Sequence, residues 1–217
     1  MKTIYIVGGD GFARECYQAL ESLMDENKTL KFGGFLGHGG YGNTVDYKSY
    51  QHLYIGEVSE HKFSEDEYVL IGSAYPKLRK KIYDELKERN IKFFTLINKG
   101  VNIPSSVQIG EACVIGNRCV ITADIKIGNG NVFNGEIIVG HDCEIGDFNF
   151  FAPRSQVLGN CKIGSFNTIG ANAILLPKAK IGNNNKIAPL SAVYRGCKDN
   201  CYMMGNPALK EGIVEDD

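Results

Sequence analysis

The chain has 217 residues, of which 43% are hydrophobic, and a formal net charge of −1. That is enough apolar material for one large domain or two small ones, and the near-neutral balance argues against a nucleic-acid or polyanion partner. The opening "MKTIYIVGGDGFARE" meets charge and glycine too early for a signal peptide and no apolar run reaches membrane length, so a cytoplasmic protein without a membrane association is expected.

From Met1 to Leu96 short apolar runs alternate with longer amphipathic stretches. "TIYIVG" reads as a buried strand, and "GFARECYQALESLMDE" as a helix with Phe12, Cys16, Ala19, Leu20 and Leu23 on one face. "KFGGFL", "EYVLIG" and "IKFFTLI" are further strands, and "YPKLRKKIYDELKERN" is a second helix with Leu78, Ile82 and Leu86 in register. The glycine-rich "GHGGYGNTVDYKSY" reads as a mobile surface loop. Strands alternating with helices predict an α/β domain over 1–96, a small parallel sheet forming a Rossmann-like half.

Beyond this point the period changes. Stepping by six from Ile97 gives Ile103, Ile109, Ile115, Ile121, Ile127, Phe133, Val139, Ile145, Phe151, Val157, Ile163, Ile169, Leu175, Ile181, Ile187 and Val193, all large and apolar. Glycine often follows, as at Gly110, Gly128, Gly146 and Gly164, and is expected to permit the turn to the next face. The position four places on is mostly compact: Cys113, Cys119, Cys143, Cys161 and Cys197 all occupy it, as inert filler. An unbroken hexapeptide repeat means a parallel β-helix over 97–217, ending in a C-terminal tail. Asn131, Asn149, Asn167 and Asn185 add an eighteen-residue period, three strands per coil, as a side-chain ladder requires.

The hexapeptide pattern resembles the hexapeptide-repeat acyltransferases. Crossover chirality in general favours the right hand, so the left hand of this β-helix is implied by that resemblance alone. "YIVGGDGFARE", "IGSAYPKLRKKIYDEL", "FFTLINK" and the terminal "GNPA" narrow the match to nucleotide-sugar N-acetyltransferases of the PglD type, with NeuD-type sialic acid O-acetyltransferases close by. The resemblance covers nearly the whole chain. It implies a homotrimer with active sites between subunits. It also implies an acetyl-CoA-dependent N-acetyltransferase acting on the amine of a nucleotide-linked amino-dideoxysugar, without a metal. A sugar O-acetyltransferase and a non-catalytic β-helix scaffold are the rival readings.

His141 is the one histidine after His61, and it stands at a predicted corner with Ala123 and Gly159 eighteen residues to either side. Small neighbours leave room beside the ring for a ligand. The resemblance makes His141 the general base and Asp142 its supporting acid. As a sequence neighbour, Asp142 reaches the ring only if the corner bends it back. "GGDGFARE" matches the phosphate-binding turn G-x-G-x-x-G at Gly9 and Gly11 but has Arg14 at the third place. The resemblance puts Asp10, Gly11, Phe12 and Gly72 around the sugar nucleotide. It also expects an acidic pair after the second strand, where this chain has Gly37 and His38; His38 either contacts the base or is a solvated loop residue. Coenzyme A is expected along Phe150, Gly159, Ala171 and Pro189, with phenylalanine at 150 where the family usually has histidine. Lys178, Lys180, Lys186 and Arg195 are candidates for its phosphates, while His52 and His61, in polar surroundings, read as structural or incidental.

Overall fold

A computed structural model describes residues 1–39 and 50–214. The chain divides into two compact units, Met1–Lys99 and Gly100–Asp217. Most of the glycine-rich segment expected to form a loop, residues 40–49, lies outside the described residues. Among those described, no helix is long and apolar enough to cross a membrane.

The first unit is built on five parallel strands in the order β3-β2-β1-β4-β5. They are β1 (Lys2–Val7), β2 (Leu30–Gly37), β3 (Tyr54–Glu57), β4 (Glu67–Ile71) and β5 (Lys92–Phe93). The strand β3 carries little buried apolar surface, which is why alternation does not reveal it. Helix α1 (Gly11–Glu26) starts where the Asp10 carboxylate accepts the Ala13 N–H, and it buries Ala13, Cys16 and Leu20. Its core face is therefore centred on Ala13 and not on Phe12. Helix α2 (Pro76–Glu88) opens on proline and buries Arg79 with Ile82 and Leu86, so an arginine stands where the apolar periodicity suggests Leu78.

The strand order reverses at β1, and the carboxyl ends of β1 and β4 beside that reversal are the usual ligand position in such sheets. Two glycines let the strand ends and the helix start close up here. A Cβ on Gly8 would lie 2.9 Å from the Gly72 carbonyl oxygen, and one on Gly72 would lie 2.9 Å from Ala13 Cβ. The two strand ends and the start of α1 thus meet backbone to backbone.

In the second unit two-residue strands stack in parallel on three faces. Gln108–Ile109, Lys126–Ile127, Glu144–Ile145, Lys162–Ile163 and Lys180–Ile181 lie on the first face. Val114–Ile115 through Lys186–Ile187 form the second, and Val120–Ile121 through Ala192–Val193 the third. Partners are eighteen residues apart, as in Ile138 with Gln156, and from Ile121 on the repeated apolar residue is buried at every step to Val193.

The corners differ from expectation in one respect. Left-handed backbone falls three residues after each apolar residue, at Arg118, Glu136, Asp142, Arg154 and Asn160 among others, and not on the glycine that follows it. That glycine answers a different need, the close approach of the next coil. A Cβ on Gly164 would stand 2.6 Å from the Gly182 carbonyl oxygen. The final coil is two residues short: Lys180 pairs with Gly196, and Lys186 with Tyr202. Cys197 consequently takes the slot of Ile181 and is half-buried, whereas Cys113, Cys119, Cys143 and Cys161 are buried in the compact slot.

The asparagine ladder runs inside the prism. Asn149 Oδ1 accepts from the N–H and Nδ2 of Asn167, both at 2.9 Å, and Asn149 Nδ2 donates to Gly164 O at 2.9 Å. The pattern repeats from Asn131 to Asn185, so four buried amides are hydrogen-bonded where an unpaired one would be costly. A second ladder climbs the outside of the same corner through Asn129, Asp147, Ser165, Asn183 and Asp199. Asn149→Ala is expected to lower unfolding free energy by about 2–3 kcal/mol, because it strands buried groups on both adjacent coils. Asn183→Ala, on the exposed ladder, should cost less than about 1 kcal/mol. Urea titrations of the two variants side by side check the difference; equal midpoints would contradict it.

Candidate active site

His141 and Asp142 stand at the corner that follows the third face. Asp142 has φ of +58°, a region that aspartate tolerates better than most residues. This turn brings its side chain back beside the preceding ring, with Oδ2 2.7 Å from His141 Nδ1. The bend that adjacency alone left open is present.

A carboxylate at Nδ1 holds the ring proton on that nitrogen in the neutral imidazole and leaves a lone pair on Nε2. The ring itself is largely exposed, at 63% of its side-chain surface. It lies over the next coil at Gly159, where a Cβ would be 2.8 Å from Nε2 and 2.9 Å from Cε1. Any larger residue at 159 would displace the imidazole. Main-chain bonds pin the corner on both sides: Asp142 N–H donates to Ala123 O at 3.1 Å, and Asn160 N–H to His141 O at 2.8 Å. The Gly159 N–H has no hydrogen-bond acceptor among the described residues, unlike the matching Glu111, Asn129 and Ser165 N–H groups, which the outer ladder caps.

The neighbouring thiols are sealed away. Cys143 Sγ donates to Leu158 O at 3.3 Å, and Cys161 Sγ to Leu176 O at 3.2 Å. Contact with Cys143, together with burial, pushes the Cys161 thiol up. No group of three or more metal-ligating side chains occurs among the described residues.

The residues expected along the cofactor divide into three places within one chain. Gly159 shares the corner of His141. Ala171 and Pro189 stack on the corner after the second face, and Phe150 points out, half-buried, from that face between Val132 and Thr168. Lys178, Lys180, Lys186 and Arg195 are exposed.

In the first unit, Asp10, Gly37, His38 and Gly72 lie at or just after the carboxyl ends of β1, β2 and β4, and Gly11 and Phe12 open α1. Asp10 caps α1, whose first N–H groups face the same edge. His38 is not a solvated loop residue: it is only 7% exposed, and its Nε2 lies 2.7 Å from Glu85 Oε2 on α2. His61 is also not superficial; it packs between Tyr5 and Phe63 and faces Glu67 at 3.5 Å. His52 remains exposed. The apolar pattern missed Arg79, whose guanidinium donates to Ile71 O at 2.6 Å and Ser73 O at 2.7 Å and fixes the turn after β4.

Residues 160–195 match the family profile described as bacterial transferase hexapeptide (six repeats). The acetyltransferase domain of PglB from Neisseria gonorrhoeae FA1090 superposes with a TM-score of 0.84 at 20% identity, covering 97% of this chain and 100% of that one. The chain has the fold of that domain, a small parallel α/β unit followed by a left-handed β-helix. PerB from Caulobacter crescentus, crystallised with CoA and GDP-perosamine, gives 0.84 at 20% identity, with 98% of each chain covered. WeeI from Acinetobacter baumannii AYE gives 0.83 at 24% identity, covering 97% of this chain and 100% of that one. No curated protein sequence matches the chain. Handedness, first implied by resemblance alone, is now a structural result.

The His141–Asp142 bond has a direct spectroscopic signature. In Asp142→Ala the neutral ring should move toward the Nε2–H tautomer, and ¹⁵N shifts of labelled histidine read the change. An unaltered tautomer would mean that Asp142 does not hold the ring.

Proposed function

We propose that the protein is an acetyl-CoA-dependent N-acetyltransferase acting on the amine of a nucleotide-linked amino-dideoxysugar. The observation that carries this is the His141 ring, held at Nδ1 by Asp142 with Nε2 left as an acceptor. The setting supports it: PerB, of the same fold, is crystallised with CoA and GDP-perosamine, and the PglB acetyltransferase domain with acetyl coenzyme A. In the first unit, the backbone N–H groups at the start of α1 suit a diphosphate; in the second, the His141 corner suits proton removal.

The chemistry follows from these parts. The neutral sugar amine attacks the thioester carbon, forming a carbon–nitrogen bond, while Nε2 of His141 accepts the amine proton. Negative charge gathers on the carbonyl oxygen, and the Gly159 N–H is the donor suited to meet it. Collapse of the tetrahedral species breaks the carbon–sulfur bond, and coenzyme A leaves as thiolate to take up a proton. Asp142 keeps the ring oriented and stabilises the imidazolium that forms. No enzyme nucleophile is needed, in keeping with the burial of Cys143 and Cys161.

The separation of Gly159 from Ala171, Pro189 and Phe150 favours a cofactor cleft completed by a second copy, so the assembly proposed is a homotrimer. The exposed Val120 and Ile138 of the third face are suited to such contacts. Multi-angle light scattering should give three chains, and a stable monomer at micromolar concentration would sink the shared cleft. His141→Ala should cut turnover by about 10²–10⁴ with acetyl-CoA affinity unchanged. Near-native turnover by the folded variant would return this corner to plain scaffold.

A further inference from the structure

The first unit has a hollow of about 660 Å³ lined by His38, Gly39, Glu57, Lys81, Glu85 and Arg89, among others. Its size is ordinary for a small-molecule site. It opens at the carboxyl ends of β2 and β3, next to the strand whose following turn would hold a diphosphate, so a nucleoside extending from that turn over β2 arrives here.

Most polar groups around the hollow are already engaged. Glu57 accepts from Tyr54 Oη and the Gly39 N–H, each at 3.1 Å. Arg89 donates to Val58 O at 2.9 Å and His61 O at 3.0 Å. The buried His38 is committed to Glu85 Oε2. Two groups remain. Glu85 Oε1 and the Lys81 ammonium have no partner among the described residues, and they stand one helical turn apart on α2. Glu85 can still accept at both oxygens, since His38 uses one lone pair of Oε2. The wall therefore offers a fixed carboxylate with a cation at its side.

We infer that this hollow takes the base of the sugar nucleotide and that the base is guanine; the inference rests on the nucleotide-sugar reading above. Guanine alone among the common bases presents two adjacent donors, N1–H and the N2 amino group, to a carboxylate, with O6 beside them for a cation. Uracil and thymine would turn a second carbonyl toward Glu85, and adenine and cytosine offer it a single amino group. His38 acts as a positioning residue, holding the Glu85 carboxylate toward the base.

The test is calorimetric titration of the full-length protein with GDP, UDP, dTDP, CDP and ADP, and separately with acetyl-CoA. GDP should bind about tenfold or more tighter than the others, the usual worth of a bidentate base contact. Glu85→Gln should erase most of that preference while acetyl-CoA binding is retained. Another nucleotide binding as tightly as GDP, or a Glu85→Gln protein that keeps the preference, would overturn the base assignment and leave the acetyltransferase reading in place. Acetyl-CoA binding with no affinity for any of the five would overturn both.

Discussion

The vertical register of the coils is the constraint on which the second unit depends. Each coil bonds to the next at intervals of eighteen residues, so whatever stands at one position of a corner stands directly over its counterpart. Regular spacing would be of little use if the coils could slip. The buried asparagines prevent that, since each amide bonds to the backbone and side chain of the coil above, and a shift would leave several polar groups unpaired in a dry interior. Apolar residues fill the prism, while the asparagines set its register.

Chemistry becomes possible where the register meets a departure from regularity. Every corner has a left-handed residue three places after its apolar anchor, and most of these side chains reach solvent. At one corner that residue is aspartate, the residue before it is histidine, and the place one coil further on is glycine. The aspartate orients the ring, the glycine makes space beneath it, and the fixed stacking keeps the three together. The same corner geometry occupied by Arg118 or Arg154 yields surface ion pairs with Glu136 instead. Thus the scaffold supplies position, and three residue choices hold an exposed imidazole in one orientation with space beside it.

Much of this was legible from residue order, for identifiable reasons. A six-residue apolar period has few physical interpretations, so the β-helix, the asparagine ladder and the exposed corner of His141 follow from spacing. Long-range contacts between non-repeating elements leave no such trace. Nothing in "YPKLRKKIYDEL" marks Arg79 as buried, because its bonds go to backbone carbonyls. The pairing of His38 with Glu85 crosses forty-seven positions. The outer ladder was visible in principle, with Asn129, Asp147, Ser165 and Asn183 sharing the asparagine period, but mixed residue types hid it. Close approach and left-handed backbone both select glycine, so spacing alone does not separate the two roles at the corners.

The central claim is that this chain joins an acetyl group to an amine on a nucleotide-linked sugar. The most direct measurement is to incubate the protein with acetyl-CoA and a panel of nucleotide-linked amino-dideoxysugars, then characterise the sugar product by NMR and mass spectrometry. The account predicts free coenzyme A and acetylated sugar nucleotide in equal amounts, with the new acetyl group in an amide. Acetyl ester as the product, or acetylation of a free sugar in preference to its nucleotide-linked form, would contradict it.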